Sequence, residues 1–348
     1  MNDEAPLPTP DAAVSAQFRK LSRWHAGEYV FWIAIAASYF VFPDHRMLLN
    51  AMAIAGLFAV SLDLILGYAG ILSLGHAALF GMGAYCAGII TTFGVTDPLL
   101  GLLIAAAASG FLGLLTSFLV LRGSDLTRLM VTLGVVLVLH AIANQLGWLT
   151  GGADGLEGVT VGPLLGVFSF DLYGNTACAY SLCVLFLLFL VARVIVHSPF
   201  GWSLGAIKGN SLRAGLVGIR VTVRLVAIYT LAATYAGVAG ALLTQTTQFV
   251  SLDVLTLERS ANILLMLMIG GVGYLYGGII GAAIFTLMQD RLSAITPQYW
   301  TFWIGLLLVL LVLVGRERLT GLPAGCRGLV RLLARAVSTR AASRAVSR

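Results

Sequence analysis

Long apolar runs broken by short polar or glycine-bearing stretches dominate the chain, and they predict helices rather than strands. Runs long enough to cross a bilayer fall at about 28–43, 47–66, 71–93, 99–121, 129–148, 176–196, 225–245 and 299–315. A crossing helix needs roughly 20 apolar residues for about 30 Å of hydrocarbon. The 348 residues therefore allow about eight to ten crossings and leave nothing substantial for a soluble domain. The first run carries Glu28 near its start and is barely long enough.

Residues 260–288 behave differently. As one helix they reach about 43 Å, short of the roughly 60 Å of two full crossings, so a pair of short or broken helices is expected. This stretch holds Gly270, Gly271, Gly273, Gly277, Gly278 and Gly281, residues suited to helix breaks and to close backbone packing. A second glycine-punctuated zone, GYAGILSLGHAALFGMGAY, occupies residues 67–85. Irregular backbone at membrane depth is tolerated where it lines a cavity or is buried in protein, so the two zones are candidates for a translocation path. The expected fold is an all-α integral membrane protein, a polytopic helical bundle of about eight to ten spans, some of them short or broken. It divides into an N-terminal segment 1–27, a membrane domain 28–315 and a basic tail 316–348.

Composition sharpens this. Apolar residues make up 59% of the chain without its 40 glycines, and charged residues only 10%. A soluble domain has about 45–50% and about 25%, so a water-soluble globule is excluded. The net charge of +6 resides in the tail: Arg316 to Arg348 hold eight arginines against Glu317. Arg327, Arg331 and Arg335 share one side of a helical wheel opposite Leu329, Leu332, Leu333 and Val337, a pattern suited to lying against anionic membrane lipid. With no Phe, Trp or Tyr in 324–348 to stack on bases, nucleic acid is not an expected partner. The start MNDEAPLPTPD lacks the basic lead of a secretory signal, so the first apolar run reads as a retained span.

The positions of Lys and Arg orient the chain. Arg19, Lys20 and Arg23, then Arg122 and Arg128, then Arg193, Lys208, Arg213, Arg220 and Arg224 fall on one side, which is read as cytoplasmic. Arg46, Arg259 and Arg291 are isolated exceptions. The loop 149–175, with Asp154, Glu157 and Asp171, falls outside, and both termini inside. Between Ser198 and Arg220 lies the longest polar interval of the membrane core. Pro199 and Gly201 are read as ending the span before it, Asn210 or Ser211 as capping a short new helix, and Gly218 as closing it. Such a built loop suits docking of a partner better than a merely solvated one.

Candidate chemistry is sparse. Cys86, Cys178, Cys183 and Cys326 form no CxxC pair, and no HExxH or clustered metal-ligand spacing occurs, so neither a metal site nor catalytic residues are expected. Asp63 lies within a turn of a span's end, just before Gly67. Anchoring of the Gly67 to Gly70 turn is preferred for it, with lining of a pathway second and a proton relay third. His140 and Asn144 share a helix face and suit a helix–helix contact. The only lysines, Lys20 and Lys208, do not follow glycine, so the chain carries no GxxxxGK[ST] phosphate loop, and any ATP-driven process needs hydrolysis elsewhere.

Four blocks together resemble one family. GYAGILSLGHAALFGMGAY at 67–85, TGGADGLEGV at 150–159, SPFGWSLGAIKGNSLRAGLVGI at 198–219 and MIGGVGYLYGGIIGA at 268–282 are similar, in order, to the permease of branched-chain amino acid ABC transporters, LivM type. The resemblance runs from about 47 to 315 and implies an importer subunit of a bacterial inner membrane, without enzymatic activity or cofactor of its own. Its implied partners are a second, homologous permease, two cytoplasmic ATPase subunits that hold ATP and Mg, and an extracytoplasmic solute-binding protein. The loop 198–220 would carry the helix that couples to the ATPase, matching at Ala206, Ile207, Lys208, Ala214, Gly218 and Ile219, with Arg213 beside them. Ser73 and His76, with Asp63, Gly67, Gly70, Gly270, Gly271 and Gly273, would lie near the path. Lys208, where Arg is usual, and Gly209, Asn210, Tyr274 and Gly278 depart from the family's usual residues. Branched-chain amino acids are the expected substrates, with urea or short amides as the alternative; an ion-coupled secondary carrier is the alternative of another class.

Overall fold

The computed structural model describes residues 26–295 except 165, 167, 172 and 173, together with 299, 302, 303, 305 and 306. Arg19, Lys20 and Arg23, most of the expected span 299–315 and the basic tail 316–348 lie outside the described residues. The chain divides between Leu287 and Met288 into two units. In the second, the Trp303 amide donates to the Tyr299 carbonyl at 3.1 Å and the rings of Phe302 and Trp303 meet edge to face.

Twelve α-helices are described: α1 (Ala26–Val41), α2 (Arg46–Asp63), α3 (His76–Thr92), α4 (Pro98–Val120), α5 (Asp125–Gln145), α6 (Gly147–Thr150), α7 (Asn175–Val196), α8 (Pro199–Gly209), α9 (Ser211–Leu216), α10 (Val221–Thr247), α11 (Leu257–Gly270) and α12 (Leu275–Ile295). Among the described residues six helical segments are long and apolar enough to cross a membrane: 43–69, 98–120, 125–145, 175–196, 221–247 and 275–295. α1 is apolar but shorter. The chain is thus a multi-pass, all-α membrane protein.

Two expected elements differ from the sequence reading. The run 71–93 is helical only from His76, because Gly70 takes a left-handed conformation (φ 73°) and residues 71–75 run non-helically. The pair expected in 260–288 extends further on both sides: α11 has 14 residues and is short, whereas α12 has 21 and is of crossing length, with the break at 271–274.

The core is built where backbones meet. α10 packs against both α3 and α4. A Cβ on Gly83 would stand 2.1 Å from the Gly237 carbonyl oxygen, and one on Gly240 would stand 2.0 Å from that of Phe80. Without hydration to drive apolar helices together inside a bilayer, such close approach is what van der Waals packing needs. The Ser109 hydroxyl lies 2.7 Å from the carbonyls of both Leu79 and Ala233, so one donor ties α4 to α3 and α10. α4 starts sharply because Pro98 takes the first helical position, where its missing N–H costs nothing, and Asp97 accepts from the Leu99 amide at 3.0 Å. At the same end the Gln245 side chain donates to the Pro98 carbonyl at 2.7 Å.

The charge that weakened the first span has a partner. Glu28 forms an ion pair with Arg193, whose side chain is 7% exposed, and the Tyr276 hydroxyl lies 3.5 Å from the same guanidinium. Phe31 packs edge-on against Tyr276, and Trp32 against Phe186 and Phe189, which holds α1 to α7 and α12. Arg193 therefore serves the interior rather than the loop. Glu28→Gln takes the carboxylate away from a buried guanidinium, and breaking a buried ion pair typically costs about 3–5 kcal/mol. Thermal unfolding in detergent should shift down markedly for Glu28→Gln and less for the double variant Glu28→Leu with Arg193→Met, which removes both charges.

Candidate functional site

The two glycine-punctuated zones meet. After Asp63, α2 widens into a π-helical turn over Leu64–Ala69, closed by Gly70. The following backbone, Ile71 to Gly75, is largely buried without helical hydrogen bonds, and side chains supply what the helix does not. Leu74 N–H donates to Thr132 Oγ1 at 3.3 Å, Gly75 N–H to Ser73 Oγ at 3.3 Å, and Ala77 N–H to Ser260 Oγ at 3.0 Å. This satisfies the requirement that non-helical backbone at membrane depth be buried in protein.

Opposite it, the break between α11 and α12 bends at Gly271 (φ 109°) and Gly273 (φ 84°), values that favour glycine. The carboxylate of Asp63, which is fully buried, accepts the Gly273 N–H at 2.7 Å. Gly67 makes that bond possible: a Cβ there would lie 2.1 Å from Asp63 Oδ1 and 2.7 Å from the Gly273 nitrogen. Gly270 presses on the start of α12, since its Cβ would lie 1.7 Å from the Gly277 carbonyl oxygen. Asp63 thus joins the end of one broken helix to the start of another.

Lys208 reaches the same point from the polar loop. Its Nζ donates to the Gly67 carbonyl at 2.6 Å, and its stem runs past Gly70, where a Cβ would lie 2.9 Å from Lys208 Cγ. The carbonyls at a helix C-terminus carry partial negative charge, so an ammonium is favoured there. A bond to a charged group contributes about 1.5–3 kcal/mol.

His76 and Ser73, 0% and 1% exposed, are sealed beside this junction. Ser61 Oγ donates to the Phe58 carbonyl at 2.5 Å and lies within hydrogen-bond distance, 2.7 Å, of His76 Nε2. The ring stacks on Phe58 at 5.5 Å. Among the described residues no group of three His, Cys, Asp or Glu side chains could hold a metal ion.

The polar loop holds two helices where one was expected. Pro199 starts α8 instead of ending α7, because the first helical position tolerates a residue without N–H. Asn210 caps α9, its side chain accepting from Arg213 N–H at 2.9 Å. Gly218 (φ 90°) closes it, with Ile219 N–H returning to the Ala214 carbonyl at 3.1 Å. Ile207 and Ala214 point inward, each 5% exposed, and Ile219 is half-buried; Ala206, Lys208, Arg213 and Gly218 are exposed. Sequence reasoning missed the outermost surface: Leu212, Leu216 and Val217 are 75%, 82% and 82% exposed. Their signal was an apolar i, i+4, i+5 triplet within the loop, whose apolar residues had no assigned side.

These features define a polytopic helical protein of the transport-permease class, with broken helices at its centre and a helical loop bonded to them. The chain belongs to the family described as branched-chain amino acid transport system, permease component, which matches residues 46–313. It is similar to the high-affinity branched-chain amino acid transport system permease protein LivM of Salmonella typhimurium, at 25% identity over 81% of this chain and 71% of the relative. LivM of Escherichia coli is 26% identical over 73% of this chain and 64% of the relative. The ribose import permease protein RbsC of Bacillus subtilis is 28% identical over 78% and 84%. No solved structure matches the chain.

Proposed function

We propose that this chain is the membrane-spanning subunit of an importer for branched-chain amino acids, driven by ATP hydrolysis in partner subunits. In this reading it sits in a bacterial inner membrane with its Lys208 face cytoplasmic. It pairs there with a second, homologous permease and two ATPases that hold ATP and Mg, and receives substrate from an extracytoplasmic binding protein. The observation that carries the reading is the Lys208 to Gly67 hydrogen bond, 2.6 Å, between the polar loop and the broken helices. Displacement of α8 and α9 by an ATPase acts through that bond on Gly67, and through Asp63 on Gly273. Alternating access follows if ATP-bound and ATP-free partners prefer different positions of this junction. The exposed Leu212, Leu216 and Val217 offer the apolar tip that such a partner would bury.

The test is uptake by the reassembled complex in proteoliposomes, with labelled leucine, isoleucine, valine, urea and ribose compared. The expected outcome is ATP-dependent uptake of the three amino acids over urea and ribose. Uptake that survives without ATP and collapses with a protonophore would instead make the chain a secondary carrier. Leu216→Asp should remove the ATPase from the purified complex while the permease stays in the membrane; retention of the ATPase would deny α9 its docking role.

A further inference from the structure

The flank of the bundle formed by α4 and α10 carries an open groove of about 620 Å³, lined by Leu114, Phe118, Val223, Val226, Ala227 and Leu231 among others. Its volume lies within the roughly 300–1,000 Å³ of small-molecule sites. The lining is mostly apolar; its polar members are Thr222, Thr230 and Thr234, the last turning its hydroxyl to the Leu231 carbonyl at 2.6 Å. Phe118 and Val223 are 53% and 60% exposed, so among the described residues nothing fills it.

The groove has a charged mouth at one end. α4 and α10 run antiparallel: Gly101 faces Gln245, Gly110 faces Thr234 and Gly113 faces Ala233, with Thr230 farther off. The lining itself reaches Phe118 on α4 and Thr222 on α10, so the last turn of α4 and the first turn of α10 flank one end of the groove. Arg122, two residues past Val120, and Arg220, the residue before Val221, follow directly on those two helix ends, and both are exposed. Other charges nearby are engaged: Arg128 pairs with Asp125 at 2.9 Å, and Arg224 lies over the Phe200 ring at 5.1 Å. Among the described residues neither Arg122 nor Arg220 takes part in an ion pair.

We propose that this groove is a binding site for one anionic phospholipid, with an acyl chain along the apolar lining and the headgroup phosphate at Arg122 and Arg220. Apolar contact alone would suit any lipid or a neighbouring helix. Two exposed cations at the end of an apolar channel favour a molecule whose negative charge sits at one end of a hydrocarbon chain, as basic pockets between membrane helices do. The site rests on the chain's membrane span and on no assumption about transported substrate.

Native mass spectrometry of the full chain, equilibrated with phosphatidylglycerol or phosphatidylcholine, tests this. The expected result is preferential retention of phosphatidylglycerol. Arg122→Gln with Arg220→Gln should lower that preference about thirty-fold for the two charges together, and Arg122→Lys with Arg220→Lys should largely restore it. Ala227→Trp, which fills the groove without altering charge, should evict the lipid, and it decides the matter should the glutamine pair fail to fold. Equal retention of the two lipids, unchanged retention in the Ala227→Trp variant, or a photocrosslinker at Val226 that captures a polypeptide rather than lipid would overturn the site.

Discussion

Lys208→Met leaves the complex assembled and cuts leucine uptake by about ten- to a hundred-fold, if α8 acts on the membrane core through its one charged reach. The ammonium bond to the Gly67 carbonyl, 2.6 Å long, contributes on the order of 1.5–3 kcal/mol, which converts to that range. Methionine keeps most of the apolar stem that passes Gly70 and removes only the donor. The readout is the ratio of substrate moved to ATP hydrolysed, measured beside the amount of ATPase that copurifies. A fall in uptake with hydrolysis retained places Lys208 in force transmission. Uptake and hydrolysis falling together with loss of assembly would make it a docking residue, and unchanged uptake would remove it from the mechanism.

Asp63→Ala has the second large effect, of a different kind. It strips the acceptor from Gly273 N–H, in a break of α11 and α12 where no helical bond replaces it, and the lost pairing costs roughly 1–3 kcal/mol. Asp63→Asn keeps an oxygen in place and should retain most uptake, since the bond needs an acceptor and not a charge. A proton relay predicts the reverse, with asparagine as damaging as alanine. Gly67→Ala should resemble Asp63→Ala, because its methyl would fall on the same carboxylate oxygen. Uptake at matched permease level, with unfolding temperature as the control, separates these outcomes.

The sequence disclosed the membrane class and the positions of most helices because apolar runs of crossing length are a one-dimensional signal. Gly70, Gly271 and Gly273 marked real interruptions for a local reason, a backbone conformation that side chains disfavour. Asn210 and Gly218 marked the bounds of α9 in the same way. The pairing of Asp63 with Gly273, 210 residues apart, had no local signature, since register between distant helices depends on packing that no short window contains. Glu28 looked like a flaw in its span for the same reason: its partner Arg193 lies 165 residues away. Pro199 misled because proline ends one helix and begins another equally well, and only the caps around it decide which. Ile207 and Ala214 carried the family pattern yet turned inward, while the outward Leu212, Leu216 and Val217 had no pattern to declare their side.

The contact of Gly83 and Gly240 with the opposing main chain constrains how this molecule can deform. Where two helices touch main chain to main chain, no side-chain rotamers lie between them to absorb sliding, and separating them forfeits those close contacts. α3 and α10 should consequently travel as a single beam. Flexing is left to the stretches at either end of that beam, residues 70–75 and 217–220, where the chain has already left the helix.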